Sequence, residues 1–203
     1  DFDEYFHKDE KLPVELSLPD GTLITLKASA RSPYLIRRDN GRLCVEAHGE
    51  PITEIHFEPR PRFYDRRTSD GVLMHRIGQL MEQHCVIFNY STYCIHWKTD
   101  DQCRFCNLVP TNQVYHQDVQ STKKASQIAE TTAAAFEEGV GKKFNLSGGT
   151  LPGRQEIDVY VETMETVGEQ LERIGRKSQA NNIALAALPP QDAQRRKAAG
   201  DPK

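Results

Sequence analysis

Apolar and polar residues alternate over short runs from Leu12 to about Pro59, the spacing of β-strands rather than helices. Val14-Glu15-Leu16-Ser17-Leu18 has period two, and Leu23-Ile24-Thr25-Leu26 returns after an Asp20-Gly21 turn. Asn40-Gly41 joins Tyr34-Leu35-Ile36 to Leu43-Cys44-Val45, a hairpin dipeptide because it tolerates positive φ. The stretch from Glu58 to Asp70, rich in Pro and Arg, reads as a linker. Ser69 or Asp70 then caps an expected helix with Leu73, Ile77, Leu80 and Met81 at helical spacing.

After Gln83 strands and helices alternate. Cys85-Val86-Ile87-Phe88-Asn89-Tyr90 is an apolar run suited to a buried strand. A helix is expected over Thr122 to Glu138, carrying Ala125, Ile128, Ala129, Thr132 and Phe136 on one face, with Gly139 just past its end. Lys143-Phe144-Asn145-Leu146 makes a second strand, a helix follows from about Gln155 to Ile174, and Ile183 to Leu188 makes a third strand. That order requires parallel pairing through crossovers, hence an α/β layer or barrel. The expected organisation is a β-rich domain over 1–70, a connecting helix over 71–84 and an α/β unit over 85–203. Three strands do not close a barrel, so the chain reads as a truncated core.

Composition narrows the function classes. The 203 residues carry 26 basic and 29 acidic side chains, a formal net charge of −3, which offers no electrostatic case for nucleic acid. Arg60, Arg62, Arg66 and Arg67 are interrupted by Glu58 and Asp65, as on a solvated loop. No apolar run reaches the ~20 residues that span a bilayer, and the first residues lack the basic and apolar regions of a signal peptide. A cytoplasmic location is expected.

Five cysteines are present, Cys44, Cys85, Cys94, Cys103 and Cys106, and the last three fall within thirteen residues. An odd, clustered set argues against a secreted disulfide framework and for metal ligation or redox work, thiolates being soft ligands for iron and zinc. Cys103 and Cys106, separated by two residues, suit one metal centre, and Cys94 on the same loop supplies a third thiolate. Three ligands leave one iron of a cubane open to a substrate or cofactor.

A strand, a three-cysteine loop with Phe105 before its last cysteine, a helix, a strand and a Ser147-Gly148-Gly149-Thr150 turn together resemble the radical S-adenosylmethionine (SAM) superfamily. The similarity covers about Cys85 to Lys203. It implies a partial (βα) barrel of the radical SAM type, ending after about three βα units and preceded by the antiparallel β-rich N-terminal domain. It also implies a [4Fe–4S] cluster on Cys94, Cys103 and Cys106, SAM as cosubstrate, and reductive cleavage of SAM to a 5′-deoxyadenosyl radical. Phe105 would lie near the adenine, the Ser147–Thr150 turn would receive the methionine amino group, and a flavodoxin or ferredoxin would supply electrons. Two features depart from the commonest family pattern: eight residues separate the first two cysteines rather than three, and Thr150 stands where many members have Glu.

Two other readings use the same residues. A structural zinc site would take the three cysteines with His96, Cys85 or His84 as fourth ligand. An iron–sulfur electron carrier would need a fourth thiolate, for which Cys85 is the nearest in sequence, although its place before the strand makes a shared cluster awkward. The role expected for Cys85 is that of a small core residue, and for Cys44 that of a strand residue. Glu156 and Asp158, in the first turn of a helix, oppose its dipole.

Overall fold

The computed structural model of the chain describes residues 15–26, 31–81, 84–99, 101–115, 119–178 and 181–183. The chain divides into two compact units at Arg60/Pro61.

The first unit is antiparallel throughout. Strands β1 (Glu15–Ser17) and β2 (Leu23–Thr25) form a hairpin, and β3 (Tyr34–Asp39), β4 (Arg42–Ala47) and β5 (Glu50–Ile55) form a meander in that order. Its turns are where the sequence places them. Asn40 and Gly41 adopt φ of 47° and 82°, the left-handed pair that matches strand twist. Asp20 closes the first hairpin by accepting the Thr22 N–H at 2.9 Å. Ser17 and His56 exchange backbone hydrogen bonds of 2.8 and 2.9 Å, which joins the hairpin to the end of the meander. Leu16 and Ile55 are the buried centre of this unit.

The second unit is a mixed α/β layer. Strands β6 (Gln79–Met81), β7 (Cys85–Asn89), β8 (Lys143–Ser147) and β9 (Asn181–Ile183) line up in chain order, β6 antiparallel and the other three parallel. A short helix α1 (Leu108–Tyr115) follows the cysteine loop, and α2 (Ala125–Glu138) and α3 (Glu156–Arg173) make the crossovers. Alternation along the strands sends Val86, Phe88, Phe144 and Leu146 to one face, where they meet Ile128 and Phe136 of α2 and Met164, Val167 and Leu171 of α3. Burying each large side chain of this set is worth roughly 1.5–3 kcal/mol against exposure. Alanines 129, 134 and 135 keep α2 slim enough for close packing. Gly139, at φ 85°, caps α2 by donating to the Phe136 carbonyl, and Gly175, at φ 65°, ends α3 by donating to that of Glu172. Among the described residues no helix is long and apolar enough to cross a membrane.

Three expectations change. The third parallel strand, expected from Ile183 to Leu188, begins earlier: pairing starts at Asn181, and residues 184–188 lie outside the described residues. Over the described residues 71–81 the connecting helix expected at 71–84 is replaced by other structure. Gly71 sits at φ 86° in a turn closed by Arg67 and Leu73, Met74–Arg76 makes a single 3-10 turn, and Gln79–Met81 pairs with β7. Gly71 and Gly78 weaken a helix there by about 1 kcal/mol each, and the strand instead satisfies the edge of β7.

Nor is the Pro- and Arg-rich stretch a solvated linker beyond Arg60. It is laced to α2 by carboxylates. Glu138 accepts the N–H groups of Arg62 and Phe63 at 2.8 and 2.7 Å, and Glu130 accepts the N–H and hydroxyl of Ser69 at 2.6 and 2.7 Å. Asp70 accepts Lys124 Nζ at 2.8 Å, with Thr68 and Gln127 as further donors. These donors, Lys124 foremost, hold the Asp70 carboxyl well below the usual carboxylate range. A depressed carboxylate stabilises the fold above its unfolded pKa and loses that contribution only as pH falls through the lower folded value, so this tie resists mild acid.

Gly78 has a specific reason to lack a side chain, since a Cβ there would fall 2.3 Å from the Phe88 ring. Gly78→Ala is therefore expected to lose about 1–3 kcal/mol in urea unfolding. Gly168→Ala, in the middle of α3 with nothing within 4 Å of the new methyl, is expected to gain roughly 0.5–1 kcal/mol. Equal effects at the two positions would contradict this packing.

Candidate functional site

Beyond their last paired residues β7 and β8 do not separate. Tyr90 N–H donates to the Ser147 carbonyl at 2.9 Å, Gly149 N–H to that of Ser91 at 3.2 Å and Ile95 N–H to that of Thr150 at 3.0 Å. On the other side of the same segment, Thr92 N–H donates to Ser121 O at 2.9 Å and Lys123 N–H to Tyr90 O at 2.8 Å. The start of the cysteine loop is thus held between the segment entering α2 and the turn after β8.

This close approach accounts for both glycines of the turn. A Cβ on Gly148 would sit 2.3 Å from the Tyr90 ring, and one on Gly149 would sit 2.0 Å from the Tyr93 carbonyl and 2.6 Å from the Cys94 Cβ. Tyr90 is 1% exposed and packs edge-to-face on Tyr160 at 5.1 Å, and its hydroxyl donates to the Gly149 carbonyl. Burial, aided by the nearby Glu156 carboxylate, pushes the Tyr90 phenol above its ordinary pKa and keeps it a neutral donor. Glu156, buried at the start of α3, accepts the Leu151 N–H at 3.1 Å and ties the far end of the turn.

The sequence-derived site residues divide into two groups. Cys94, half-buried and extended, lies against Gly149, with Ser147 and Thr150 in the same turn. Ser147 Oγ donates to Asn89 Oδ1 at 2.5 Å, and the Thr150 carbonyl is the acceptor already named. Cys103, exposed, and Cys106, half-buried, share a turn closed by Cys106 N–H donating to Cys103 O at 2.9 Å. Phe105 between them is 90% exposed. Among the described residues no three His, Cys, Asp or Glu side chains form a ligand group, so Cys94, Cys103 and Cys106 do not converge on one point.

The donor set fits an iron–sulfur cluster in its chemistry: three thiols on one loop, none in a disulfide. Trp97, within the same loop, has its indole N–H buried with no hydrogen-bond partner, a donor to spare for an acceptor such as a sulfide. The other fourth-ligand choices fare differently. His84 Nδ1 is 2.8 Å from the Val140 carbonyl, and Cys85 is buried beside it at the opposite end of β7 from the cysteine loop, about 13 Å away along the strand. His96 stays within the loop, and Cys44 is on β4 in the first unit.

Lys123 is the residue that sequence reasoning missed. It is 5% exposed, and its Nζ donates to the carbonyls of Asn89 at 2.7 Å and Gln120 at 2.8 Å, bracing the mouth of β7. Nothing in its spacing, beside Lys124 before a helix, marks it as buried. Burial pulls its pKa down to about 8. Between that value and the ordinary 10.5 the unfolded chain binds more protons than the folded one, so stability rises with pH across this window and the burial cost is constant below it. Tyr90 acts in the opposite sense only above about pH 10. Urea titrations from pH 7.5 to 9.5 are expected to show the rise in the native chain and its loss in Lys123→Met; identical slopes would show that Lys123 is not buried as a charge.

Comparison of the chain with protein-family models, with curated proteins and with solved structures finds no match to any of them.

Proposed function

We propose that the second unit is a radical SAM core in which Cys94, Cys103 and Cys106 hold a [4Fe–4S] cluster. One observation carries the reading. Two parallel strands end side by side, the cysteine loop leaves one and the double-glycine turn leaves the other, and backbone hydrogen bonds lay Cys94 directly on Gly149. A thiolate and a turn that receives SAM must lie this close if one ligand is to bridge them.

When bound, the cluster supplies the electron that cleaves the sulfonium of SAM. The chain's own residues do the rest. The backbone ties at Tyr90, Ser91 and Ile95 fix the first thiol, while the Cys103–Cys106 turn carries the other two. Exposed Phe105 travels with that turn and is available to cover an adenine face. By the resemblance, the Ser147–Thr150 turn receives the methionine amino group, and the Thr150 hydroxyl is an acceptor it offers there. An electron donor of the flavodoxin or ferredoxin type is the implied partner.

Anaerobic reconstitution is expected to give a brown protein with about four irons and four sulfides per chain. Cys94→Ala, Cys103→Ala and Cys106→Ala each abolish it, Cys44→Ala does not, and SAM shifts the spectrum of the native chain's cluster. A colourless protein with one bound zinc would overturn the reading in favour of a structural zinc module. A cluster indifferent to SAM would leave electron transfer alone.

A further inference from the structure

We propose that Cys103 and Cys106 are a reversible oxidation site, whose disulfide blocks assembly of the centre; the second clause rests on the cluster reading, and the first does not.

The four-residue turn is the basis. A turn closed from residue i+3 to residue i keeps its end Cα atoms within about 7 Å, and disulfides span Cα separations of about 4.4–6.8 Å. The Cys106 N–H to Cys103 O bond at 2.9 Å sets that geometry with both thiols reduced. Cys103 is exposed and meets an oxidant first, while Cys106 is half-buried beside it. Cys94 is tied down separately against Gly149, and among the described residues the pair belongs to no group of three His, Cys, Asp or Glu side chains. The dithiol is therefore accessible and preorganised for its own partner.

The oxidant is hydrogen peroxide. The Cys103 thiolate attacks one peroxide oxygen, the O–O bond breaks, and a sulfenic acid and one water result. The Cys106 sulfur then displaces the sulfenic oxygen as a second water, and the S–S bond forms. The two thiols have lost two electrons and two protons, and the peroxide has taken them up. A dithiol reductant reverses the bond by thiol–disulfide exchange. While it stands, two of the three thiolates are withdrawn from iron.

The full apo chain treated with equimolar hydrogen peroxide, alkylated without reduction and digested with trypsin tests this directly, because cleavage after Arg104 separates the two cysteines. Peptide 99–104 is expected to be joined to peptide 105–123, and dithiothreitol to part them. Cys94→Ser is expected to form the same link, and Cys103→Ser and Cys106→Ser none. A link from either peptide to 77–98, which holds Cys85 and Cys94, or irreversible sulfinic acid on Cys103 with no link, would overturn the oxidation site. The peroxide-treated chain is expected to take up less than a tenth of the iron of the reduced chain, on the order of the loss of two of its ligands, and to recover it with dithiothreitol. Equal uptake by oxidised and reduced chains would overturn the block. Failure of the reduced chain to bind iron, with the cross-link intact, would sink the cluster reading and leave the oxidation site standing.

Discussion

Everything at the candidate site depends on the backbone contact between the segment leaving β7 and the turn leaving β8. Parallel strands usually diverge at their carboxyl ends, because each must feed its own crossover helix. Here the pairing continues past Asn89 and Ser147, with Tyr90, Gly149 and Ile95 each donating across the gap. The spacing is so small that only glycine is tolerated at 148 and 149. The Tyr90 hydroxyl then takes up the Gly149 carbonyl, and Lys123 takes up the carbonyl of Asn89 from the opposite side. A buried carbonyl left without a donor costs about 1–3 kcal/mol, so the Tyr90 hydroxyl makes the buried Gly149 carbonyl tolerable, while Lys123 braces the other side of the junction.

That junction changes what the double glycine means. Read in sequence, Gly148 and Gly149 invite the thought that a ligand approaches the backbone. In the structure the space of their missing side chains is taken by Tyr90, Tyr93 and Cys94. The glycines bring two protein segments together, and a ligand would use the platform they make rather than the gap they leave. Sequence patterning had no access to this, since glycine at a close approach between two loops and glycine beside a ligand look alike until the neighbouring chain is known.

Where periodicity alone decides, the sequence was legible. The α2 and α3 helices, β7 and β8, and the Asp20-Gly21 and Asn40-Gly41 hairpins lie within a few residues of their expected positions, because in each case local pattern and packing agree. The failures occur where they conflict. Leu73, Ile77, Leu80 and Met81 fit a helix by spacing, but Gly78 is needed against Phe88 and the free edge of β7 takes Gln79–Met81 as a strand. Glu50–Ile55 falls within the stretch expected to form short strands, and its Pro51 is accommodated because β5 is an outer strand. The lacing of residues 62–70 to α2 was invisible because its acceptors, Glu130 and Glu138, lie more than sixty residues away in sequence. The cysteines were legible as a chemical set, and their division into one fixed thiol and one turn-borne pair was not.

The division has a physical logic. A loop that held three thiols at cluster distance without metal would pay the entropy of that order with no metal bond to offset it. Fixing Cys94 through the backbone and leaving Cys103 and Cys106 on a turn of their own avoids that cost in the apo chain. It makes ordering of the loop part of the binding free energy. The same separation leaves the paired thiols as each other's nearest reactive partner. On the proposed reading, the ease with which the centre assembles and the ease with which its apo form oxidises are two consequences of one turn.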